Sequence, residues 1–168
     1  MLSENVKIIM LRAPVADAFN GDPLMAAVGC ANYRKCTFVV SMGANTGGTG
    51  RVKFLVYGAD VSAGTNKTEI GCWVRTGTGS APDTLSALVR AEAGAAVSQA
   101  AAACVATQHI VEIDVAEAKK AQEAAGFAFN GIALQVDETV DDPIVGSVLC
   151  ILSEPRNCGA TMPIVTIA

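Results

Sequence analysis

Residues 36–57 decide the fold class: Cys36–Met42 (CTFVVSM), the turn-rich GANTGGTG of residues 43–50, and Arg51–Tyr57 (RVKFLVY). Two runs rich in β-branched and aromatic side chains flank a glycine-rich turn. In the second run Val52, Phe54 and Val56 alternate with Arg51, Lys53 and Leu55, the period of a strand with one buried face. The pair predicts a hairpin. Downstream, Thr68–Arg75 (TEIGCWVR) lies between SAGTN and TGTGSAPD, and His109–Val115 (HIVEIDV) sets Ile113 and Val115 against Glu112 and Asp114, so both read as strands. Phe127–Val136 (FAFNGIALQV) and Ile144–Leu152 (IVGSVLCIL) read as a terminal hairpin about the acidic turn DETVDDP. Upstream, Val6–Leu11 is a short first strand, and Pro14–Pro23 (PVADAFNGDP) reads as a loop from its prolines and its N-G-D turn. Short strands between glycine-rich turns predict an all-β protein, an antiparallel β-sandwich or jelly-roll-like fold with one or two short helices.

The helices are the minor component. Asp114 and Glu117 form a D-x-x-E variant of the capping box ahead of AEAKKAQEAA, and Gly126 supplies the stop. Thr84–Ala93 (TLSALVRAEA) follows Pro82-Asp83 and is expected as a helix, whereas the alanine-rich tract 95–106 fits helix, strand or loop.

With 168 residues the chain is expected to be a single domain, residues 1–168, with an N-terminal arm over about residues 1–25 and an apolar tail over about residues 159–168. Apolar residues make up 51 % and charged residues 17 %, the latter against a usual value of about 25 %, so the charges are too few to coat an ordinary monomer. Some apolar surface is therefore expected to meet partners. A net charge of −4 leaves no electrostatic grip for nucleic acid, and the longest stretch without Asp, Glu, Lys or Arg, residues 93–111, is too weakly apolar for a membrane. Ile8–Leu11 is too short for a signal-peptide core, which implies synthesis in the cytoplasm. The six cysteines are accordingly read as reduced, buried small hydrophobes. With no C-x-x-C pair and one histidine, no metal site is expected.

Each candidate for chemistry has a plainer reading. Gly43 and Gly48 have P-loop spacing, but Thr49 and Gly50 stand where lysine and a hydroxyl are required, leaving a flexible turn. His109 begins a strand with no G-x-S-x-G elbow in the chain, so a packing or hydrogen-bonding role is expected. Asp137, Glu138, Asp141 and Asp142 are dense enough for a hard cation but fit no EF-hand spacing, and read as a solvated turn. Arg34 and Lys35 precede Cys36, yet strand neighbours point to opposite faces and do not converge on its thiol. Trp73 reads as core or interface filler. No catalytic residue, cofactor site or enzyme activity is expected.

The order of NYRKCTFVV, a glycine-rich turn, RVKFLVY, HIVEIDVAEA, FAFNGIALQV and VGSVLCILSEPRN resembles the small β-sandwich virion proteins of tailed bacteriophages, capsid decoration or cement proteins, over about residues 33–156. The resemblance implies a structural protein on the capsid surface of a virion, made in the host bacterial cytoplasm. It implies a dimer or trimer that clamps subunits of the major capsid protein, and thiols that pair only after lysis. Contact residues expected by position are Ile8, Ile9, Leu11 and Phe19 in the arm, Tyr33, Arg34 and Lys35 toward an acidic shell, and Ile164, Val165 and Ile167 in the tail. Two alternatives stand beside it. One is another head, connector or tail component; the other is a soluble ligand- or carbohydrate-binding β-sandwich in which Trp73 and the glycine-rich loop line a shallow site.

Overall fold

The computed structural model describes residues 6–60, 65–78, 81–140 and 142–156. The strands are β1 (Val6–Val15), β2 (Val28–Gly29), β3 (Tyr33–Asn45), β4 (Arg51–Ala59), β5 (Lys67–Glu69), β6 (Cys72–Thr78), β7 (Ala81–Leu85), β8 (Val89–Ala91), β9 (Val97–Ser98), β10 (Thr107–Asp114), β11 (Gly131–Val140) and β12 (Ile144–Pro155). A 3-10 turn at Ala101–Cys104 precedes β10, and one α-helix, α1 (Val115–Ala124), follows it. The strands form an antiparallel β-sandwich. One sheet has seven strands in the order β1-β12-β3-β10-β6, with β7 and β8 sharing the far edge of β6. The other has five, β2-β11-β4, with β5 and β9 on the far edge of β4.

The core lies between the sheets and is made by alternate residues of the predicted strands. Cys36, Phe38, Val40 and Met42 of β3 and Val148, Cys150 and Leu152 of β12 face Val52, Phe54 and Val56 of β4 and Ile132, Leu134 and Val136 of β11, all buried in one continuous cluster. Each such side chain contributes on the order of 1.5–3 kcal/mol on leaving water.

Neither predicted hairpin exists. β3 pairs with β12 and β10, and β4 pairs with β11, β5 and β9, so the glycine-rich segment carries the chain from one sheet to the other. β11 and β12 likewise lie in different sheets. Inward-facing apolar sets can meet side by side within a sheet or face to face across the roughly 10 Å between sheets, and the alternation is the same for both. The start of β11 also differs: Gln122 in α1 holds residues 127 and 128, and Asn130 N–H donates to the Ala59 carbonyl. The Gln122 Nε2 donates to the carbonyl of Ala128 at 3.3 Å, and the Gln122 backbone carbonyl accepts from Phe127 N–H.

The helix expected at 84–93 is instead β7 and β8, both laid on the open edge of β6. Helix propensity is worth at most about 0.7 kcal/mol per ordinary residue, too little to outweigh satisfying an exposed strand edge. The alanine tract supplies β9 and the 3-10 turn. α1 is capped as predicted: Asp114 Oδ1 accepts from Ala116 and Glu117 N–H at 2.8 and 3.0 Å, and Gly126 ends it at a φ of +87°. Glu117 does not complete the capping box, because its carboxylate is held by Arg90.

The N-terminal arm is also corrected. β1 continues through Pro14 as an integral strand of the larger sheet, and Ala18, Phe19 and Met25 lie in the core. Phe19 fits because Gly146 on β12 has no side chain; a Cβ there would stand 2.6 Å from the ring.

Candidate interaction surface

The glycine-rich loop is occupied by the protein itself. Asp142, from the turn joining β11 to β12, accepts the N–H groups of Gly47, Thr49 and Gly50 at 2.8, 2.9 and 3.2 Å and the Thr49 hydroxyl at 3.2 Å. These bonds hold its carboxyl below the ordinary carboxylate value. Thr46 N–H donates to the Pro143 carbonyl, so the two sheet-crossing loops clasp each other. A Cβ on Gly47 would lie 2.6 Å from the carboxylate and one on Gly50 2.8 Å from the Asp142 carbonyl, which explains glycine at both. The N–H groups that would cradle a phosphate already hold an anion. The same contacts remove Asp142 from any cation site and correct its reading as a solvated turn residue; among the described residues no cluster of His, Cys, Asp and Glu is arranged for a metal.

His109 is buried in β10 with both nitrogens engaged. Its Nε2 lies 2.8 Å from the Ala103 carbonyl, which can only accept, so Nε2 carries the proton and Nδ1 accepts from the Thr76 hydroxyl at 3.1 Å. The ring packs against Phe54, and burial lowers its pKa. This is the structural role the sequence predicts. The five described cysteines are free and buried, Cys36 and Cys150 approach to 3.6 Å between sulfurs, and burial raises Cys72 to about 11. Cys158 lies outside the described residues.

Trp73 and the glycine-rich loop do not form one site. Trp73 pairs with Glu112, which pairs with Thr37 near the start of β3, whereas the loop follows Asn45 at its other end. Those positions are about 26 Å apart along an extended strand. Among the described residues, Trp73 lines a shallow depression with Lys35, Leu88, Glu112 and Asp114, and the Arg90 guanidinium lies over the indole at 5.2 Å.

What remains is a face. Strand registers place Ile8, Ile151, Thr37, Glu112, Trp73 and Arg90 in one row across the outside of the seven-stranded sheet. The next row holds Met10, Leu149, Val39, Ile110 and Arg75. The β1, β12 and β3 side of this face is aliphatic, and Ile8 and Met10 are 55 % and 60 % exposed. The β10 and β6 side carries charge in pairs: Arg75 with Glu112 at 3.3 Å, and Arg90 with Glu92 and Glu117. Lys35 is bound to Glu154 at 2.9 Å, which raises its pKa.

The outside of the five-stranded sheet is built differently. Lys53 pairs with Asp137 there at 2.6 Å, Leu55 stands opposite Gln135, and Ala133 and Tyr57 are covered by Leu24 and Ala27 of the chain's own segment before β2. Helix α1 packs against β3, β4, β5 and β10, away from β1 and β12. Among the described residues, the fold covers one outer face and on the other leaves Ile8 and Met10 exposed beside the part-buried Val39, Leu149 and Ile151.

The expected contact residues divide accordingly. Ile8 lies on that outer face, whereas Ile9 and Leu11 point inward and pack on the core. Phe19 and Tyr33 are wholly buried, so neither is available to a partner: Phe19 fills the space over Gly146, and Tyr33 closes the sandwich end beside Cys30. Arg34 is exposed and lines a shallow depression with Asp114 and Arg156, and Lys35 is already paired. Ile164, Val165 and Ile167 lie outside the described residues. The same outer face also carries Met10, Val39, Ile110, Leu149 and Ile151, which position alone does not single out. For Leu149 and Ile151 the signal is that IVGSVLCIL in β12 carries apolar residues at inward and outward positions alike, the pattern of a strand covered on both faces.

No described helix is long and apolar enough to cross a membrane. No protein-family model matches the chain, and no curated protein matches it. Among solved structures, the crystal structure of the SPBc2 prophage-derived protein YomS is similar at a TM-score of 0.41 and 12 % identity, over 88 % of this chain and 92 % of that one.

Proposed function

We propose that the protein is a non-catalytic structural component of a phage virion, an oligomer that binds the outside of the head and strengthens contacts between subunits of the major capsid protein. The observation that supports the assembly part of this reading is the apolar outer face of β1, β12 and β3, where Ile8 and Met10 are exposed beside the part-buried Val39, Leu149 and Ile151, since an apolar face of this kind is a place for a partner to bind. The winding adds support: successive strands β1 to β4 alternate between sheets, as do β11 and β12, in the manner of a jelly roll, an architecture used by viral capsid domains and by lectins. The phage head enters through the motif resemblance over residues 33–156.

The test is composition of purified particles. Virions of the phage that encodes the chain are banded by density, and their proteins quantified by mass spectrometry. The expected result is this chain in fixed ratio to the major capsid protein, removable by proteolysis from outside while the DNA stays packaged. Its absence from banded particles, or its recovery only with the tail, overturns the head assignment.

A further inference from the structure

We propose that Asn20 is a self-modifying site: in the folded chain the backbone nitrogen of Gly21 closes on the Asn20 side-chain amide and converts it to isoaspartate and aspartate. The sequence Ala-Phe-Asn-Gly occurs twice, at residues 18–21 and 128–131. Both asparagines therefore have the same immediate neighbours, and the fold alone separates them. Glycine after asparagine is the pairing most open to this chemistry, because the missing Cβ leaves the glycine nitrogen free to approach the amide carbon. The step needs only water. The Gly21 nitrogen gives its proton to solvent and bonds to Asn20 Cγ, the Cγ–Nδ2 bond breaks, and Nδ2 leaves as ammonia, forming a succinimide. Water then opens the ring. Attack at Cγ restores the ordinary peptide bond and leaves aspartate; attack at the backbone carbonyl leaves the chain running through Cγ as isoaspartate. Either product carries one more carboxylate than the parent, and no electrons change hands.

The two sites are built differently. Asn20 and Gly21 form the exposed corner of a turn closed by Asp22 N–H donating to the Phe19 carbonyl at 3.1 Å. Gly21 has a φ of +74°, nothing lies within 4 Å of where its Cβ would stand, and its N–H donates to no described group. The Asn20 amide donates to the Asp17 carboxylate at 3.0 Å, an exposed bond that water replaces at small net cost. Asn130 is held instead. Its N–H donates to the Ala59 carbonyl at 2.9 Å and its Nδ2 to the Asp60 carbonyl, while Gly131 is buried in β11 between β2 and β4. For the Gly131 nitrogen to reach Asn130 Cγ, the start of β11 must come away from its neighbours. Openings of a paired strand are rarer than the fluctuations of a surface turn. The turn also sets where the product falls. Phe19 is wholly buried on one side and Asp22 Oδ1 accepts the Glu138 N–H at 2.7 Å on the other, so the methylene that isoaspartate adds to the backbone lies between two anchors.

The test is a time course of the purified full chain in mildly alkaline buffer, folded and in urea. Peptides covering each site are separated by liquid chromatography and quantified by mass spectrometry, with the asparagine, aspartate and isoaspartate forms resolved. In the folded chain the amide is expected to be lost at Asn20 at least about tenfold faster than at Asn130, with isoaspartate among the products. In urea the two rates converge, as their shared sequence requires. Asn20→Gln, whose longer side chain disfavours ring closure, stops the loss at that position and leaves Asn130 as it was. Equal rates at the two sites in the folded chain, loss at Asn20 only in urea, or aspartate without isoaspartate overturns the proposal.

Discussion

Replacing Gly146 by alanine tests whether the segment before β2 is core or arm. A Cβ at Gly146 falls 2.6 and 2.7 Å from two ring carbons of Phe19 and 3.1 Å from the Ala18 methyl. The ring is wholly buried, and its backbone is fixed by Ala18 N–H donating to the Ile144 carbonyl at 3.0 Å, so the clash has no inexpensive exit. Overpacking of this kind costs about 2 kcal/mol, or about 4–8 °C in Tm for a domain of this size. Phe19→Leu, which removes the clashing ring carbons, costs about 1.5 kcal/mol alone. In the double variant the new methyl enters space the ring has left, so the total is expected near about 2 kcal/mol rather than the additive value of about 3.5, a coupling of about 1.5 kcal/mol. Urea denaturation followed by far-ultraviolet circular dichroism reads all four corners of the cycle. Additivity within about 0.3 kcal/mol refutes the packing of Phe19 on Gly146, and a Phe19→Leu variant as stable as the parent returns residues 14–23 to the status of an arm.

Asp142→Ala is expected to lower the urea midpoint by releasing the clasp between the two sheet-crossing loops, and Gly47→Ala to do the same by driving a methyl into the carboxylate; unchanged midpoints in both would show the clasp to be dispensable. Burial makes folded His109 bind its proton more weakly than the unfolded chain, so stability is whole above the ordinary pKa of 6.5 and falls as pH drops below it. That slope should vanish in His109→Gln, and persistence of the full slope assigns it elsewhere. The Asp142 contribution lies in a separate window, present above the ordinary value of 3.8 and lost as pH falls through its lowered pKa. Asp114→Ala removes the acceptor for two N–H groups of α1 and should cost about 1 kcal/mol by thermal denaturation. In native buffer a thiol reagent should label at most Cys158, the other five being buried, and fast labelling of Cys36 or Cys150 would contradict their packing between β3 and β12.

Strand positions were legible wherever one face is polar, as at Val52, Phe54 and Val56 against Arg51 and Lys53, because the pleat forces alternation. The helix was legible because its signals are chemical and local: an Asp114 carboxylate to take free N–H groups and Gly126 to adopt a positive φ. Partnership was not. Whether Phe38 meets Phe54 beside it or across the core depends on residues remote in sequence, above all Asp142, which lies 92 residues from Gly50 and joins the two loops. The same limit hid β7 and β8, whose extended form is set by the free edge of β6 rather than by their own propensity. It also placed Phe19 in an imagined arm, since the cavity it fills exists only because Gly146 stands opposite.

The candidate surface follows from an asymmetry between the outer faces. In a two-layer sandwich each sheet has one face that no other layer covers, and polar residues normally take it. On β4 and β11 they do, with Lys53, Asp137 and Gln135, and the chain lays Leu24 and Ala27 over the apolar remainder. On β12 and β3 the corresponding positions are Leu149, Ile151 and Val39, and no described part of the chain reaches them beyond the neighbouring strands. Leaving Ile8 and Met10 exposed beside these part-buried residues forgoes on the order of 1–2 kcal/mol per exposed side chain. A partner that covered this face would return that stability, so assembly there would be read directly as a gain in stability.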